Sequence, residues 1–282
     1  MTDTSDTLRH EIDSLKHAYP MNCAPIVRKH LPLWQCIWEQ WLSAFREISP
    51  GRANSLDSWA MVMQRREHCR TCLDDQSQIL YLSGFGAAGK GTIAGCLEAT
   101  FPRFCRIVNF TTRPARDRET DGKDYHFIKP AQFEEKMRQH KFLVVNRIIN
   151  RGAYGIPTRA VLDSLNDQRI AIIEGLSTTI CRLRHSTMLA AFNTHHIFIT
   201  PPPPIFPHLV YRYVQRQVVQ SANIDMADAE QTLGAWQVDE LVEFNRIWKS
   251  QPRRTMLLFN ISPAQTVRTL HERLSIELKP CF

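Results

Sequence analysis

No stretch of this chain approaches the roughly 18 consecutive apolar residues that a membrane-crossing helix needs, so a helical membrane protein is excluded. The start, MTDTSDTLRHEIDS, lacks the charged-then-apolar layout of a signal peptide. A dense Lys/Arg tract with interleaved aromatics is also missing, so nucleic acid is not the expected partner. The eight cysteines follow no framework spacing, which reads as reduced thiols and a cytoplasmic chain. Cys69 and Cys72 form the one CxxC, but zinc needs a second ligand pair, and only Cys23, His30 and Cys36 are candidates for it.

What is present is ordinary for a soluble globular protein, with 43% hydrophobic and 22% charged residues. The length of 282 residues suits one domain of about 200 plus an extension better than two equal domains. A net charge of +7 points to anionic partners. Arginines that grip phosphorylated small molecules produce such a balance as readily as nucleic-acid contacts do.

The most informative stretch is Ile79–Thr92, ILYLSGFGAAGKGT. The apolar run Ile79 to Ser83 is too short for a helix and suits a buried strand, whereas Thr92 to Glu98 resumes a helical pattern. Strand, glycine-rich turn, lysine, helix is the order of a phosphate-binding loop. Gly84 and Gly89 let backbone N–H groups curl round phosphate oxygens, Lys90 adds a point charge, and the helix N-terminus favours anions.

Gly91 stands where Ser or Thr usually follows the lysine, with Thr92 next. This GKGT ending resembles the loop of the guanylate kinase family, approximately GPSGxGK[GS]T, from which Phe85, Gly86 and Ala87 depart. Further on, Thr111-Thr112-Arg113-Pro114-Ala115-Arg116 and Asp121-Gly122-Lys123-Asp124-Tyr125-His126-Phe127 resemble the family segment TTRxPRxGExxGxDYxF. Two guanidinium forks and a tyrosine hydroxyl suit a monophosphate dianion, and the resemblance implies that Arg113, Arg116 and Tyr125 hold the acceptor phosphate. Gly152 to Pro157 is similar to a third family segment, whose tyrosine, here Tyr154, joins that grip.

The base-reading positions differ. The family's guanine-reading glutamate falls on Val144, the hydroxyl residue after Tyr-Gly on Ile156, and the second acid of D-x-[DE] on Leu176, while Glu174 keeps the first. Asn109 replaces a serine and retains a donor. Guanine presents an N1–H and N2–H edge that needs a carboxylate, so the expected acceptor is phosphorylated, with a less polar or differently polar body. Leu209 to Arg216 is similar to the family's lid sequence LxxRLxxR, implying that Arg212 and Arg216 close over the transferring phosphates. Thr232 occupies the place of a further lid arginine, and Asn260 that of an asparagine near the adenine.

Residues 1–77 read as a helical extension outside this pattern, ahead of a domain spanning 78–282. Trp34, Trp38, Trp41, Leu42 and Phe45 recur at three- and four-residue steps after Leu31-Pro32-Leu33, and Leu56, Trp59, Ala60 and Met63 mark a second helix. The tryptophan stripe reads as packing on the rest of the chain, with a homodimer or partner surface, or an acceptor lid, as alternatives. Strands Phe104–Phe110, Phe142–Ile149, Arg169–Glu174, His195–Thr200 and Met256–Ile261 alternate with helices. This predicts an α/β P-loop kinase fold, a parallel sheet flanked by helices with an acceptor subdomain and a lid.

The resemblance implies an ATP- and Mg²⁺-dependent phosphotransferase. Lys90, Arg212 and Arg216 would be catalytic; Gly84, Gly86, Ala87, Ala88, Gly89, Gly91, Thr92 and Asn260 would complete the ATP site, with Thr92 toward the metal. Asn109, Arg113, Arg116, Tyr125, Val144, Tyr154, Ile156 and Glu174 would surround the acceptor. Two alternatives stand beside it: a genuine guanylate kinase, and a catalytically weak scaffold-type module that binds a phosphorylated partner, against which Lys90 argues.

Overall fold

The computed structural model describes residues 4–48, 56–66, 77–116, 119–148, 152–184, 188–189, 192–218, 224–234, 236–251 and 254–274. Four helices come first: α1 (Thr4–Ser14), α2 (Cys23–Lys29), α3 (Leu31–Ile48) and α4 (Leu56–Arg66). Strand β1 (Ser77–Gly84), helix α5 (Lys90–Thr100), and strands β2 (Phe104–Arg106), β3 (Phe110–Thr111) and β4 (His126–Phe127) follow. Next are α6 (Pro130–Arg138), β5 (Phe142–Ile148), β6 (Gly152–Pro157), α7 (Thr158–Asn166), β7 (Ile170–Glu174) and α8 (Ser177–Arg184). The chain closes through β8 (Asn193–Thr200), α9 (Ile205–Val218), α10 (Met226–Leu233), α11 (Gln237–Ser250), β9 (Thr255–Phe259) and α12 (Pro263–Leu274).

Ile79, Leu80, Tyr81, Leu82 and Ser83 are all buried, so β1 is covered on both faces, as its unbroken apolar run requires. It is the middle strand of a five-stranded sheet, order β2-β7-β1-β8-β9, with every pairing parallel. The loop after β1 therefore emerges beside the C-terminal end of β7, at the reversal of strand order where open α/β sheets bind ligands. A second sheet, order β4-β3-β6-β5, stands beyond it, its β5–β6 pair antiparallel with Val144 opposite Ile156 and Asn146 opposite Tyr154.

The expected strand Phe104–Phe110 is two strands in two sheets. Ile107 N–H still bonds the Ile172 carbonyl (2.9 Å), but the Asn109 carbonyl accepts from His126 N–H (2.8 Å), so the chain passes to the second sheet within three residues. Asn109 also donates its side-chain amide to the Glu174 carbonyl at the end of β7 (2.9 Å), pinning the crossing to the central sheet.

The tryptophan stripe packs within the chain. Trp34, Trp41 and Phe45 are buried, and α1 to α4 contribute to the same hydrophobic core as β8, β9 and α9. Leu56, Ala60 and Met63 of α4 are buried on that core as well. Ser49-Pro50-Gly51, Ile149 and the Cys69/Cys72 pair lie outside the described residues. Among the described residues no helix is long and apolar enough to cross a membrane, and no three His, Cys, Asp or Glu side chains could jointly hold a metal.

Glu240 in the first turn of α11 is 2% exposed and accepts from Ser177 N–H at the start of α8 (2.5 Å). Burial pushes its carboxyl up to about 7, against the opposing pull of the Ser177 N–H and of Lys90. An acid whose folded pKa is raised binds more protons folded than unfolded, so its contribution to stability falls as pH climbs from its ordinary value through about 7. Glu240→Gln keeps the acceptor oxygen without the charge. It should raise stability at pH 8 by on the order of 1–3 kcal/mol and change it little at pH 4.5, read by denaturant melts at both pH values.

Candidate active site

The loop after β1 is closed on its own lysine. Lys90 Nζ donates to the carbonyls of Gly84 (2.8 Å) and Phe85 (2.9 Å), and Ala88 N–H donates to the same Phe85 carbonyl (3.2 Å), which folds the turn back on its first two residues. Gly89, just before α5, has φ +93°, a left-handed conformation that side chains resist, and a Cβ there would strike the Asn260 carboxamide. The Ala88 carbonyl is held by two donors, Asn260 Nδ2 (2.8 Å) and Arg212 Nη1 (3.0 Å). Gly86 N–H donates to Gln237 Oε1 (2.7 Å), so the first residue of α11 meets the loop directly.

This loop forms one wall of a cleft of about 430 Å³. Gly84, Gly86, Ala87, Gly89, Lys90, Gly91 and Thr92 line it on one side. Asn109, Arg113, Arg116, Tyr125, Val144, Tyr154, Ile156 and Glu174 line the other, and Arg216 reaches it from α9. Two groups of residues from separate stretches of the sequence thus share one cavity. Three expected residues do not line it. Ala88 and Asn260 are buried behind the loop, and Arg212 bonds the carbonyls of Ala88 and Asn260 (2.5 Å) instead of facing the cleft. Arg212 and Arg216 lie a turn apart along α9, and only Arg216 reaches the open space.

The charges in the cleft are mostly paired. Arg113 forks onto Glu119 through Nη1 (2.5 Å) and Nη2 (2.6 Å), and its guanidinium lies 4.9 Å from the Tyr125 ring centre. Burial alone would weaken that cation, but the Glu119 carboxylate overcomes it and holds Arg113 firmly protonated. Arg116 reaches Glu119 (3.7 Å) and Asp228 of α10 (3.6 Å). Burial, then the charge of Glu174, raises the Tyr125 phenol to about 12, so it stays a donor at neutral pH. Arg216 is different. Its Nε and Nη2 are buried without a hydrogen-bond partner, and burial followed by the nearby Arg116 depresses its pKa. Asp228, Glu119 and the Tyr213 ring, 5.6 Å from the guanidinium carbon, offset part of that cost, and two nitrogens without an acceptor leave room for an arriving anion.

Sequence reasoning missed four side chains. Arg106 bonds Glu174 (2.7 Å) and the Lys123 carbonyl (3.2 Å) on the cleft floor, beside Gly91. Its signal was a charge inside an apolar strand pattern, a placement that demands a partner. Glu119 was legible as an acid in the arginine loop. Asn146 and Thr179, hydrogen-bonded to each other at the far end of the cleft, had no signal of their own.

A magnesium ion that travels with phosphates keeps several waters and needs few protein oxygens. The exposed Thr92 hydroxyl and the Glu174 carboxylate, which lies against Gly91, offer that much. The donor set fits an ion brought by the nucleotide and no dedicated metal cage.

A parallel sheet with a lysine-closed loop at its switch point, facing an arginine-lined second sheet across one cleft, defines a P-loop kinase. The model of the guanylate kinase family matches residues 76–250, and the chain belongs to that family. It is 30% identical over 162 residues to a guanylate kinase of Cutibacterium acnes, covering 54% of this chain and 78% of that protein. To one from Aster yellows witches'-broom phytoplasma it is 28% identical over 207 residues, covering 72% and 95%. A solved guanylate kinase from Anaplasma phagocytophilum overlaps 72% of this chain and 86% of its own, with TM-score 0.49 and 19% identity. The chain is an ATP-dependent phosphotransferase of the nucleoside monophosphate kinase type.

The two arginines of α9 should separate in experiment. Arg212→Ala removes two hydrogen bonds to loop carbonyls and should lower stability by about 2 kcal/mol. Arg216→Ala removes a guanidinium whose Nε and Nη2 have no acceptor and should change the melting temperature little, while weakening capture of phosphate-bearing ligands. Thermal melts of both variants check the contrast.

Proposed function

We propose that this chain moves the γ-phosphoryl group of ATP to a phosphorylated acceptor whose body is not guanine. Lys90 and the loop N–H groups hold the donor phosphates. Arg113, Arg116, Tyr125 and Tyr154 hold the acceptor phosphate, and Arg216 neutralises charge on the group in transit. The observation that carries the transfer is Arg216, a guanidinium whose Nε and Nη2 are buried without an acceptor, lining the same cleft as the loop and Arg113 and Arg116. The magnesium that accompanies ATP supplies further neutralisation of the phosphate charge, held toward the chain by Thr92 with Glu174 near. No protein nucleophile is required, because positioning and fixed charge supply most of the rate in phosphoryl transfer.

The acceptor follows from the far end of the cleft. Val144, Ile148, Ile156 and Leu176 line it, and its polar groups include the Asn146 carboxamide and Thr179 hydroxyl, which bond each other. Asn146 Oδ1 also accepts from Arg182 (3.1 Å). These groups both donate and accept but carry no negative charge, and the cleft carboxylates Glu174 and Glu119 are already engaged by Arg106 and Arg113, so a guanine N1–H and N2–H edge would find no free carboxylate at this end. An acceptor body with mixed donors and acceptors, or with an apolar flank, suits them better. The rival reading, GMP as acceptor, is favoured by the name shared by the relatives.

A coupled ADP-release screen over nucleoside monophosphates and sugar phosphates separates the two. GMP should fall below the best acceptor in kcat/KM by about tenfold or more; a GMP preference of that size would overturn the acceptor reading. Lys90→Ala should reduce kcat by about a hundredfold or more with the best acceptor. Failure of the chain to bind Mg·ATP at millimolar nucleotide would point instead to a module that holds a phosphorylated partner.

A further inference from the structure

The helices before β1 lie outside the region matched by the family model, which begins at residue 76. One of their side chains nevertheless reaches the phosphate loop. Trp41 of α3 is 2% exposed, its ring centre 5.0 Å from that of Phe85, the loop residue whose carbonyl accepts from Lys90. The Trp41 Nε1–H donates to the carbonyl of Leu233, the last residue of α10 (2.6 Å). That end of α10 rests on the loop in turn. Gly86 leaves no room for a Cβ against the Thr232 carbonyl, and Gln237 bonds both Gly86 N–H (2.7 Å) and that same carbonyl. Phe85 and Gly86 are two of the three positions at which the loop departs from the family pattern. Each one fits a neighbour described here: an aromatic ring for Trp41, and an absent side chain for the α10 end.

We infer that the N-terminal helices are part of the donor-phosphate site, with Trp41 as a positioning residue that fixes the loop through Phe85 and the end of α10 through Leu233. Trp41 touches no substrate. It acts by holding the loop around Lys90 and Thr232 at the end of α10, both of which line the cleft, in one alignment. A loop held in its binding shape has less freedom to lose when phosphate arrives, which is how preorganisation raises affinity. This inference rests on the donor reading of the loop given above.

The test is calorimetric titration of the full chain with Mg·ATP, which needs no knowledge of the acceptor. Trp41→Phe keeps a ring beside Phe85 and removes the donor to Leu233. It should weaken Mg·ATP binding by about fivefold to tenfold, the weight of roughly one buried hydrogen bond. Trp34→Phe is the control. Trp34 is equally buried in α3, but its Nε1–H bonds Val27 within the N-terminal helices (3.0 Å). It should lower the melting temperature comparably and leave nucleotide affinity within about twofold of the parent. With an acceptor in hand, Trp41→Phe should raise the KM for ATP and leave the KM for the acceptor unchanged. Trp41→Phe binding Mg·ATP as tightly as the parent, or Trp34→Phe weakening it equally, would overturn the inference and leave the donor reading standing. Absence of Mg·ATP binding by the parent chain would remove both.

Discussion

The bond from the Lys90 ammonium to the Gly84 and Phe85 carbonyls is the constraint on which the site depends. It closes the backbone between β1 and α5 into a ring, with Ala88 N–H bonded to the Phe85 carbonyl as well. Everything nearby is arranged to keep that ring in place. Behind it, Asn260 and Arg212 hold Ala88; above it, Gln237 holds Gly86; beneath it, the parallel pairing of β1 with β7 and β8 sets its height. The sheet, α9, α11 and the segment after β9 meet at one turn of chain, so this wall of the cleft is shared by elements far apart in sequence.

The central strand, the loop and α5 were readable because their signals are local: a short apolar run, glycines where φ must be positive, and a lysine in register. The stripe on α3 was readable for the same reason, since a helix face repeats at fixed steps. The second sheet was harder, because β3 and β4 are two residues long and carry no period. Phe104 to Phe110 looked like one strand because apolar content says nothing about which sheet a residue joins. The split is set by Asn109, whose bonds to Glu174 and His126 are both distant in sequence.

The arginines of α9 carry a related lesson. A spacing of four places two side chains on one face, but α9 runs past the cleft, so one reaches the loop carbonyls and the other the open space. Spacing alone cannot distinguish an arginine that holds backbone from one that awaits an anion; the number of acceptors within reach does. Arg106 is the converse case. Its ion pair with Glu174 lies on the cleft floor, and only the tertiary approach of β2 and β7 makes the pair.

The fork of Glu119 on Arg113 changes what it means for a ligand to enter the acceptor side. An arriving anion competes with a tethered carboxylate, held at high local concentration by its place six positions along the same chain, and not only with water. A singly charged visitor brings no advantage over the resident group. A dianion with three oxygens does bring one, since it can engage Arg113, Arg116 and the tyrosine hydroxyls together. On the proposed acceptor role of Arg113 and Arg116, the internal rival works as a charge threshold, weighed before the body of any molecule is inspected.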